Sequence, residues 1–196
     1  MNLATAATYF AETAVSGWNG TTWVENAGLV TLLAYDRVIH EAEFDSKRRT
    51  ILVSHEDTVT TAYSVIKFPE SGDVYLVGAE NSDILGDRYS RSVIIHRANA
   101  FCTLYDFTKV TKASGMPGTA TRHALGNYWG DIGRTGAANS REFDGVAFSQ
   151  TQITLPRDCP VDTDHEVSAN GKYYDIKEAY VFNGFRQCHA LAKRSA

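Results

Sequence analysis

The sequence predicts a mainly β protein, an antiparallel β-barrel or β-sandwich with a short N-terminal helix and one long irregular arm. Segments rich in aromatic and β-branched residues recur along the chain, as is typical of strands. Three Asn-Gly pairs separate such segments, at Asn19-Gly20, Asn170-Gly171 and Asn183-Gly184. Because Asn and Gly both tolerate positive φ, these pairs favour the type I′ turns of β-hairpins.

A short helix is predicted near the start of the chain. Leu3 to Val15 is rich in alanine, and its apolar residues are near helical spacing. This pattern ends before Gly17. Trp18 and Trp23 then flank the first Asn-Gly pair, which predicts the first hairpin.

Two further hairpins are predicted in the first half of the chain. Val38 to Phe44 alternates in polarity, and the basic turn Asp45 to Arg49 leads into the apolar strand Thr50 to Ser54. Thr58 to Phe68 is dense in strand-forming residues, and Pro69-Glu70-Ser71-Gly72 turns it into the next strand.

Two long segments follow in the middle of the chain. Ser92 to Val110 is β-prone but is interrupted by Arg97-Ala98-Asn99, which predicts two strands or one bent strand. Lys112 to Ser149 holds seven glycines and has no sustained strand or helix period. Long aperiodic segments are often functional excursions. We therefore predict an extended arm or long loop, compatible with a turn of helix near Ala124 to Trp129.

The C-terminal pattern predicts a four-stranded antiparallel meander over residues 152–193. Gln152 to Leu155 forms a short strand, and Tyr173 to Phe182 forms a central strand shared by two hairpins. In Phe185 to Lys193 neither alternating face is wholly apolar, so this strand is expected at an edge or against a partner. The predicted organisation is one β domain over residues 1–196, with residues 112–149 inserted before the meander.

Composition limits the class of protein. With 43% hydrophobic and 21% charged residues the chain resembles an ordinary globular protein, and its net charge of −4 provides no bulk attraction to nucleic acid. The three cysteines are an odd number without CxxC spacing, which argues against a disulfide framework and a zinc ribbon. A basic leader and a membrane-spanning apolar run are both absent from the sequence, so synthesis in a reducing cytoplasm is expected.

Motifs for catalysis are poorly represented, and no enzyme activity, cofactor or metal is predicted. A GxSxG elbow does not occur, and the cysteines lack the sequence context of cysteine hydrolases. Asp162, Asp164 and His165 form a D-x-D-H cluster between Pro160 and the strand that starts at Glu166. Such a cluster can bind a divalent cation, as in a metal-dependent hydrolase, but Asp in a polar turn usually caps the backbone, which is the favoured interpretation.

Aromatic residues within the glycine-rich segment are candidates for an oligomer interface. Tyr128 and Trp129 lie among small residues and can dock into a pocket of a neighbouring subunit, the alternative being burial in the chain's own core. Arg134 and Phe143 in the same segment complete the predicted interface.

Basic residues of the predicted turn after Phe44 are candidates for contact with DNA or a partner. Lys47, Arg48 and Arg49 form a compact positive group that can touch phosphates. Three charges at a hairpin tip are also commonly just hydrated, and this alternative remains open.

The C-terminal strands resemble the small neck proteins of tailed bacteriophages, variously called head-closure, stopper, collar or head-tail joining proteins. Such proteins often show an apolar-Pro segment, a D-x-V-like strand, a G-x-x-Y-x-V/I segment and a last strand that ends in basic residues. The matching residues here are Ile153-Thr154-Leu155-Pro156, Asp164-His165-Glu166-Val167, Asn170 to Ile176 and Arg186 to Lys193. The chain departs from the smaller members by its length and by the segment Lys112 to Ser149.

The resemblance implies a β-barrel or β-sandwich protomer that assembles into a homo-oligomeric ring beneath the portal. Its implied partners are portal or adaptor proteins and tail proteins, with DNA passing through the channel without sequence specificity and no membrane involved. The implied location is the virion, assembled in the host cytoplasm. The alternative is a carbohydrate- or receptor-binding β module of a virion or bacterial protein, in which Trp18, Trp23, Tyr128 and Trp129 provide stacking faces.

Overall fold

The computed structural model describes residues 12–32, 48–54, 59–81, 89–108, 121–134, 141–143, 146–148 and 150–192. These residues form mainly antiparallel β structure, as predicted. They divide into two compact units. The first contains the described residues of Met1–Asn99, Pro156–Asp158 and Val181–Phe185, and the second contains those of Ala100–Leu155, Cys159–Tyr180 and Arg186–Ala196.

The first unit is built on a closed antiparallel barrel of six strands. In spatial order the strands are β1-β2-β3-β6-β5-β4, and β4 pairs back onto β1. One helical turn, α1 (Val59–Ala62), precedes β4. The strands are β1 (Glu12–Trp18), β2 (Trp23–Leu32), β3 (Arg48–Ser54), β4 (Val65–Lys67), β5 (Val74–Asn81) and β6 (Tyr89–Arg97).

β-branched side chains dominate the interior of this barrel. Its core includes Val15, Val30, Ile51, Val53, Val77, Val93 and Ile95, all almost fully buried. Tyr63 packs against this core, and its ring lies directly over Gly17 of β1. A Cβ at position 17 would lie 2.4 Å from Cγ of Tyr63, so only glycine fits beneath the ring.

The second unit is built on another closed six-stranded barrel, with spatial order β11-β14-β13-β12-β7-β8. A separate two-stranded sheet pairs β9 (Arg141–Phe143) with β10 (Val146–Phe148). The barrel strands are β7 (Ala100–Thr108), β8 (Thr121–Arg134), β11 (Gln150–Leu155), β12 (His165–Ala169), β13 (Lys172–Phe182) and β14 (Phe185–Ala192).

The hairpins predicted at the three Asn-Gly pairs are confirmed with one difference, whereas Val38 to Phe44 of a further predicted hairpin lies outside the described residues. At Asn170-Gly171 and Asn183-Gly184 both residues have positive φ, as a type I′ turn requires. At Asn19-Gly20 only the glycine has positive φ. There the Asn19 carboxamide oxygen accepts hydrogen bonds from the backbone N–H groups of Thr21 and Thr22, so β1 and β2 are joined by an Asx-type loop.

The β-prone run from Ser92 to Val110 forms two strands, the first of the two predicted alternatives. β6 ends at Arg97 and β7 begins at Ala100. The boundary between the two compact units falls between Asn99 and Ala100. The predicted interruption therefore marks a change of unit.

The long irregular arm is corrected in its central part, because residues 121–134 form strand β8. This strand pairs with β7 over Thr121 to Gly130 and with β11 over Asp131 to Arg134. No turn of helix occurs there. The glycines lowered the strand signal, yet Gly130 suits a tightly packed place: a Cβ there would lie 2.9 Å from Cδ2 of Leu155. The remaining residues of the predicted arm that the structure describes belong to β9 and β10.

The C-terminal strands form a Greek-key arrangement, which corrects the predicted meander. β12, β13 and β14 are consecutive neighbours, but β11 pairs with β14. β14 therefore has a strand on each side and is not an edge strand. The mixed faces of β14 are compatible with a position between two strands. Cys188 and Ala190 face the core, and on the opposite face the buried Gln187 accepts a hydrogen bond from Gln152.

Two other predictions differ at the N-terminal side. Residues 12–15, at the end of the predicted helix, belong to strand β1, and the rest of that helix lies outside the described residues. Val59–Ala62, predicted as strand, is α1. The guanidinium of Arg157 donates to the carbonyl oxygens of Thr60 and Thr61 at distances of 2.9 and 3.2 Å, so a side chain distant in sequence stabilises this turn.

We predict that Gly17→Ala destabilises the first barrel by about 1–3 kcal/mol, because the new methyl group overlaps the Tyr63 ring. Urea unfolding followed by tryptophan fluorescence measures the change. Gly133→Ala is the matched control, since its Cβ would meet only the Gln152 carbonyl oxygen at 3.9 Å. Equal stability of the Gly17→Ala protein and the wild type would contradict the packing that we describe.

Candidate interaction surface

The outer wall of the second barrel carries an exposed aromatic pair on β7 and β8. Phe101 and Trp129 are paired residues, and their ring centroids lie 5.1 Å apart. Phe101 is 46% exposed, whereas Trp129 is half-buried beside it. On the same face the Thr103 hydroxyl donates to the carboxamide oxygen of Asn127 at 2.8 Å. We call Phe101, Thr103, Asn127 and Trp129 the aromatic face.

Alternation along β8 separates the two aromatic residues that the sequence placed together. Tyr128 and Ile132 pack against the core of the barrel, while Trp129 lies between them in sequence and points to the opposite side. Tyr128 thus follows the alternative of burial in the chain's own core. Trp129 lies on the outer wall. The sequence does not identify Phe101 as its partner, because the two residues are 28 positions apart and meet only through the pairing of β7 with β8.

The other two predicted interface residues are in different places. Arg134 is the last residue of β8, where it pairs with Thr151 of β11. Phe143 is in the small β9-β10 sheet and pairs with Val146. The backbone pairing therefore does not bring either residue into register with the aromatic face.

An ion pair with a buried carboxylate fixes the N-terminal end of β8 to the barrel wall. Nε of Arg122 donates to a carboxylate oxygen of Glu166 at 2.6 Å, and the Glu166 side chain is only 1% exposed. The Arg122 guanidinium also lies 4.4 Å from the ring centroid of Tyr173. Tyr105 packs near Tyr173 with centroids 6.1 Å apart. We call Arg122, Glu166 and Tyr173 the β8 brace, and it holds the strand that carries Trp129.

The three basic residues predicted at a hairpin tip do not all lie in a turn. Lys47 lies outside the described residues, whereas Arg48 and Arg49 belong to strand β3 and pair with His96 and Ile95 of β6. Arg49 is half-buried. Burial and then Asp73 raise the pKa of Tyr75, whereas Arg97 and Arg49 lower it, Arg49 partly through a hydrogen bond. Part of this basic group therefore contributes to packing in the first barrel.

The D-x-D-H cluster forms a hydrogen-bonded turn, as the favoured interpretation predicted. The Asp162 carboxylate accepts from the backbone N–H of Thr163 at 2.7 Å, and Nδ1 of His165 accepts from the Asp162 N–H at 3.0 Å. One carboxylate oxygen of Asp162 and Nδ1 of His165 are thus bonded to backbone N–H groups of the turn. Within the described part of the chain, no group of three or more His, Cys, Asp or Glu residues is arranged to hold a metal ion.

The cysteines are free thiols buried in the core of the second barrel, at positions 102, 159 and 188. Burial and, to a smaller extent, Asp131 raise the pKa of Cys102 to about 12. Burial raises the pKa of Cys188 to about 12, with Arg186 acting in the opposite direction. Both thiols are therefore protonated at neutral pH and are poor nucleophiles.

The tryptophans proposed for sugar stacking are engaged with their neighbours. Trp18 and Trp23 are half-buried, and their ring centroids lie 5.2 Å apart. Nζ of Lys67 lies 4.8 Å from the centroid of Trp23. The Trp23 ring face, which would have to be open to stack on a sugar, is thus already partly covered.

The chain has few matches among known proteins. No protein-family model and no curated protein matches the chain. Two chains of solved structures do match. One comes from a structure described as "Virion of native gene transfer agent (GTA) particle", with a TM-score of 0.36 and 17% sequence identity, covering 48% of this chain and 93% of that chain. Similarity at this level does not establish a common fold.

In the described residues, no helix has both the length and the apolar character needed to span a bilayer.

We predict that stability falls as pH rises from about 9 toward about 12. The pKa values of Cys102 and Cys188 in the folded protein are raised from 9.0. The contribution of these neutral thiols to the free energy of unfolding is therefore complete below the pKa of the unfolded chain and is lost as pH rises through the folded-state pKa. Urea unfolding at a series of alkaline pH values measures the decline. In the Cys102→Ala/Cys188→Ala protein the slope becomes shallower, and an unchanged slope would contradict the assignment.

We predict that Arg122→Ala destabilises the second barrel by about 1–3 kcal/mol, because the buried Glu166 carboxylate loses its hydrogen-bond donor. Partial exposure of Arg122 favours the lower end of this range, since water can replace part of the contact. Thermal unfolding measures the loss. Lys177→Ala is the control, because Lys177 pairs with Asp175 at the surface. If the Arg122→Ala and Lys177→Ala variants show equally small losses of thermal stability, the β8 brace is not a stabilising contact.

Proposed function

We propose that this protein is a structural protein of a tailed-phage virion that forms an oligomeric ring at the head-tail neck. The described residues of the segments that resemble phage neck proteins lie in β11, β12, β13 and β14 or directly beside them, and these strands belong to one closed antiparallel barrel. The resemblance implies such a barrel as the protomer. Portal or adaptor proteins and tail proteins are the proposed neighbours, and assembly takes place in the host cytoplasm.

The aromatic face is the observation that carries this proposal. A large side chain such as Phe101, exposed on a barrel wall and packed on a tryptophan, is typical of protein-protein contacts, where aromatic residues are enriched. We propose that a second copy of the chain covers this face. In a ring of identical subunits the contact is heterologous, so the complementary surface lies elsewhere on the protomer.

The work proposed for the subunit is assembly and not catalysis. Cys102 and Cys188 are held as neutral thiols, and the carboxylate of Asp162 and the imidazole of His165 are used to form a turn. These residues are among the nucleophile and cation-ligand candidates that the sequence offers. Their use in core packing and turn formation is compatible with a scaffold.

DNA is proposed to pass through the ring without sequence-specific contacts. The chain carries a net charge of −4. Since a strongly basic lining would bind the DNA backbone through counterion release, a mildly acidic subunit is suited to the wall of a channel. Arg48 and Arg49, with Lys47, remain the proposed cations for any local contact with DNA or a partner.

We expect the purified protein, alone or with its portal, to form closed rings, which negative-stain electron microscopy detects directly. Light scattering after size-exclusion chromatography gives the mass of the assembly in solution. A protein that stays monomeric at high concentration and binds no portal, adaptor or tail component would overturn the proposed function.

The location of the contact is tested by Phe101→Asp, which places a charge in the aromatic face. We expect this variant to dissociate the assembly, because burying an unpaired carboxylate in an interface is unfavourable. Leu29→Asp is the matched control, since Leu29 is 50% exposed on β2 of the first barrel. A Phe101→Asp protein that remains folded and assembles as the wild type does would exclude this face as the interface.

A further inference from the structure

The three Asn-Gly pairs share one latent reaction. The backbone nitrogen of the glycine can attack Cγ of the preceding asparagine, so that a C–N bond forms, the Cγ–Nδ2 bond breaks and ammonia leaves. One water molecule then opens the resulting succinimide at either carbonyl and gives aspartate or isoaspartate. Glycine has no Cβ to hinder the attack. Because the reacting dipeptide is the same at all three places, the surrounding structure decides where the reaction occurs.

Asn19 is held by its own loop. Its carboxamide oxygen accepts from the N–H groups of Thr21 and Thr22 at 3.0 and 2.8 Å, and its Nδ2 donates to the Thr22 hydroxyl at 3.3 Å. The backbone N–H of Asn19 also donates to the Thr22 carbonyl oxygen at 3.2 Å. The carboxamide can rotate toward the Gly20 nitrogen only if several of these hydrogen bonds break together.

Asn183 is held by packing within the first unit. Its carbonyl oxygen accepts from the N–H of Ala79 at 2.8 Å. Gly184 lies so close to β5 that a Cβ on it would be 2.5 Å from the nitrogen of Ala79. The attack requires the Gly184 nitrogen to swing about the Asn183 backbone, and these contacts oppose that movement.

Asn170 has neither constraint. Asn170, Gly171 and Lys172 are all exposed, and a Cβ on Gly171 would have no heavy atom within 4 Å. The turn directly follows the β12-β13 ladder, whose last pair is Ala169 with Lys172. We infer that Asn170-Gly171 is a site of spontaneous deamidation in the folded protein, whereas the Asn-Gly pairs at 19 and 183 are protected.

The reaction has a structural consequence for the second barrel. Isoaspartate adds a methylene group to the backbone path and leaves a free carboxylate, and a two-residue turn sets the register of its hairpin. The adjoining strand β12 places Val167 in the core and Glu166 in the β8 brace. Conversion at Asn170 therefore disturbs the β12-β13 register, on which the burial of Val167 and the position of Glu166 both depend.

Peptide mapping by mass spectrometry tests the inference on the full chain incubated at mildly alkaline pH, with a urea-unfolded sample as the reference. In the unfolded chain all three sites convert at similar rates. In the folded protein we expect conversion at Asn170 to be at least about tenfold faster than at Asn19 or Asn183, because those turns must first open and break hydrogen bonds. Conversion of the folded protein at Asn19 or Asn183 as fast as at Asn170 would overturn the inference. So would an intact Asn170 after the unfolded chain has fully converted.

Variants provide the matched control. Asn170→Gly keeps a dipeptide that type I′ turns favour and removes the reacting carboxamide. We expect it to abolish the isoaspartate that accumulates in folded wild-type protein. Asn183→Gly removes the same carboxamide from the protected turn, and we expect the accumulation at Asn170 to be unchanged. Undiminished isoaspartate in the Asn170→Gly protein would place the reaction at another residue and contradict the assignment.

Discussion

The pairing of β8 on both of its sides is the constraint on which the second unit depends. This strand runs beside β7 for most of its length and beside β11 at its end, and so closes the barrel. Closure buries Cys102, Leu104, Ile153 and Cys188 in one core. It also leaves little room beside Gly130, where a Cβ would lie 2.9 Å from Cδ2 of Leu155 and 3.1 Å from the carbonyl oxygen of Thr154.

The same pairing determines what the barrel presents to its surroundings. Because side chains alternate along a strand, the register that places Tyr128 inside places Trp129 outside, next to Phe101. The β8 brace then fixes the N-terminal end of the strand through the buried carboxylate of Glu166. The exposed aromatic face is thus built on rigid strands, and a rigid surface binds a partner with a smaller loss of conformational entropy than a flexible arm would.

The Asn-Gly pairs show how one local signal serves different environments. At positions 170 and 183 the dipeptide forms turns with positive φ at both residues, while at position 19 the asparagine side chain builds an Asx-type loop. Each of them joins two antiparallel strands. Turn chemistry therefore specified that a hairpin forms, whereas contacts with Ala79 or with solvent set how firmly each turn is held.

Local chemistry in the sequence determined the antiparallel β class, the hairpins at the Asn-Gly pairs, the turn at Asp162 and the interruption after Arg97. Each of these depends on residues that are adjacent along the chain. Only the tertiary structure decided that the strands close into two barrels, that a glycine-rich segment is strand β8, and that β14 lies between two neighbours. The pairs Phe101 with Trp129 and Arg122 with Glu166 likewise join residues 28 and 44 positions apart. Strand partnership depends on contacts between distant parts of the chain, and no local pattern of side chains records which strand will lie beside which.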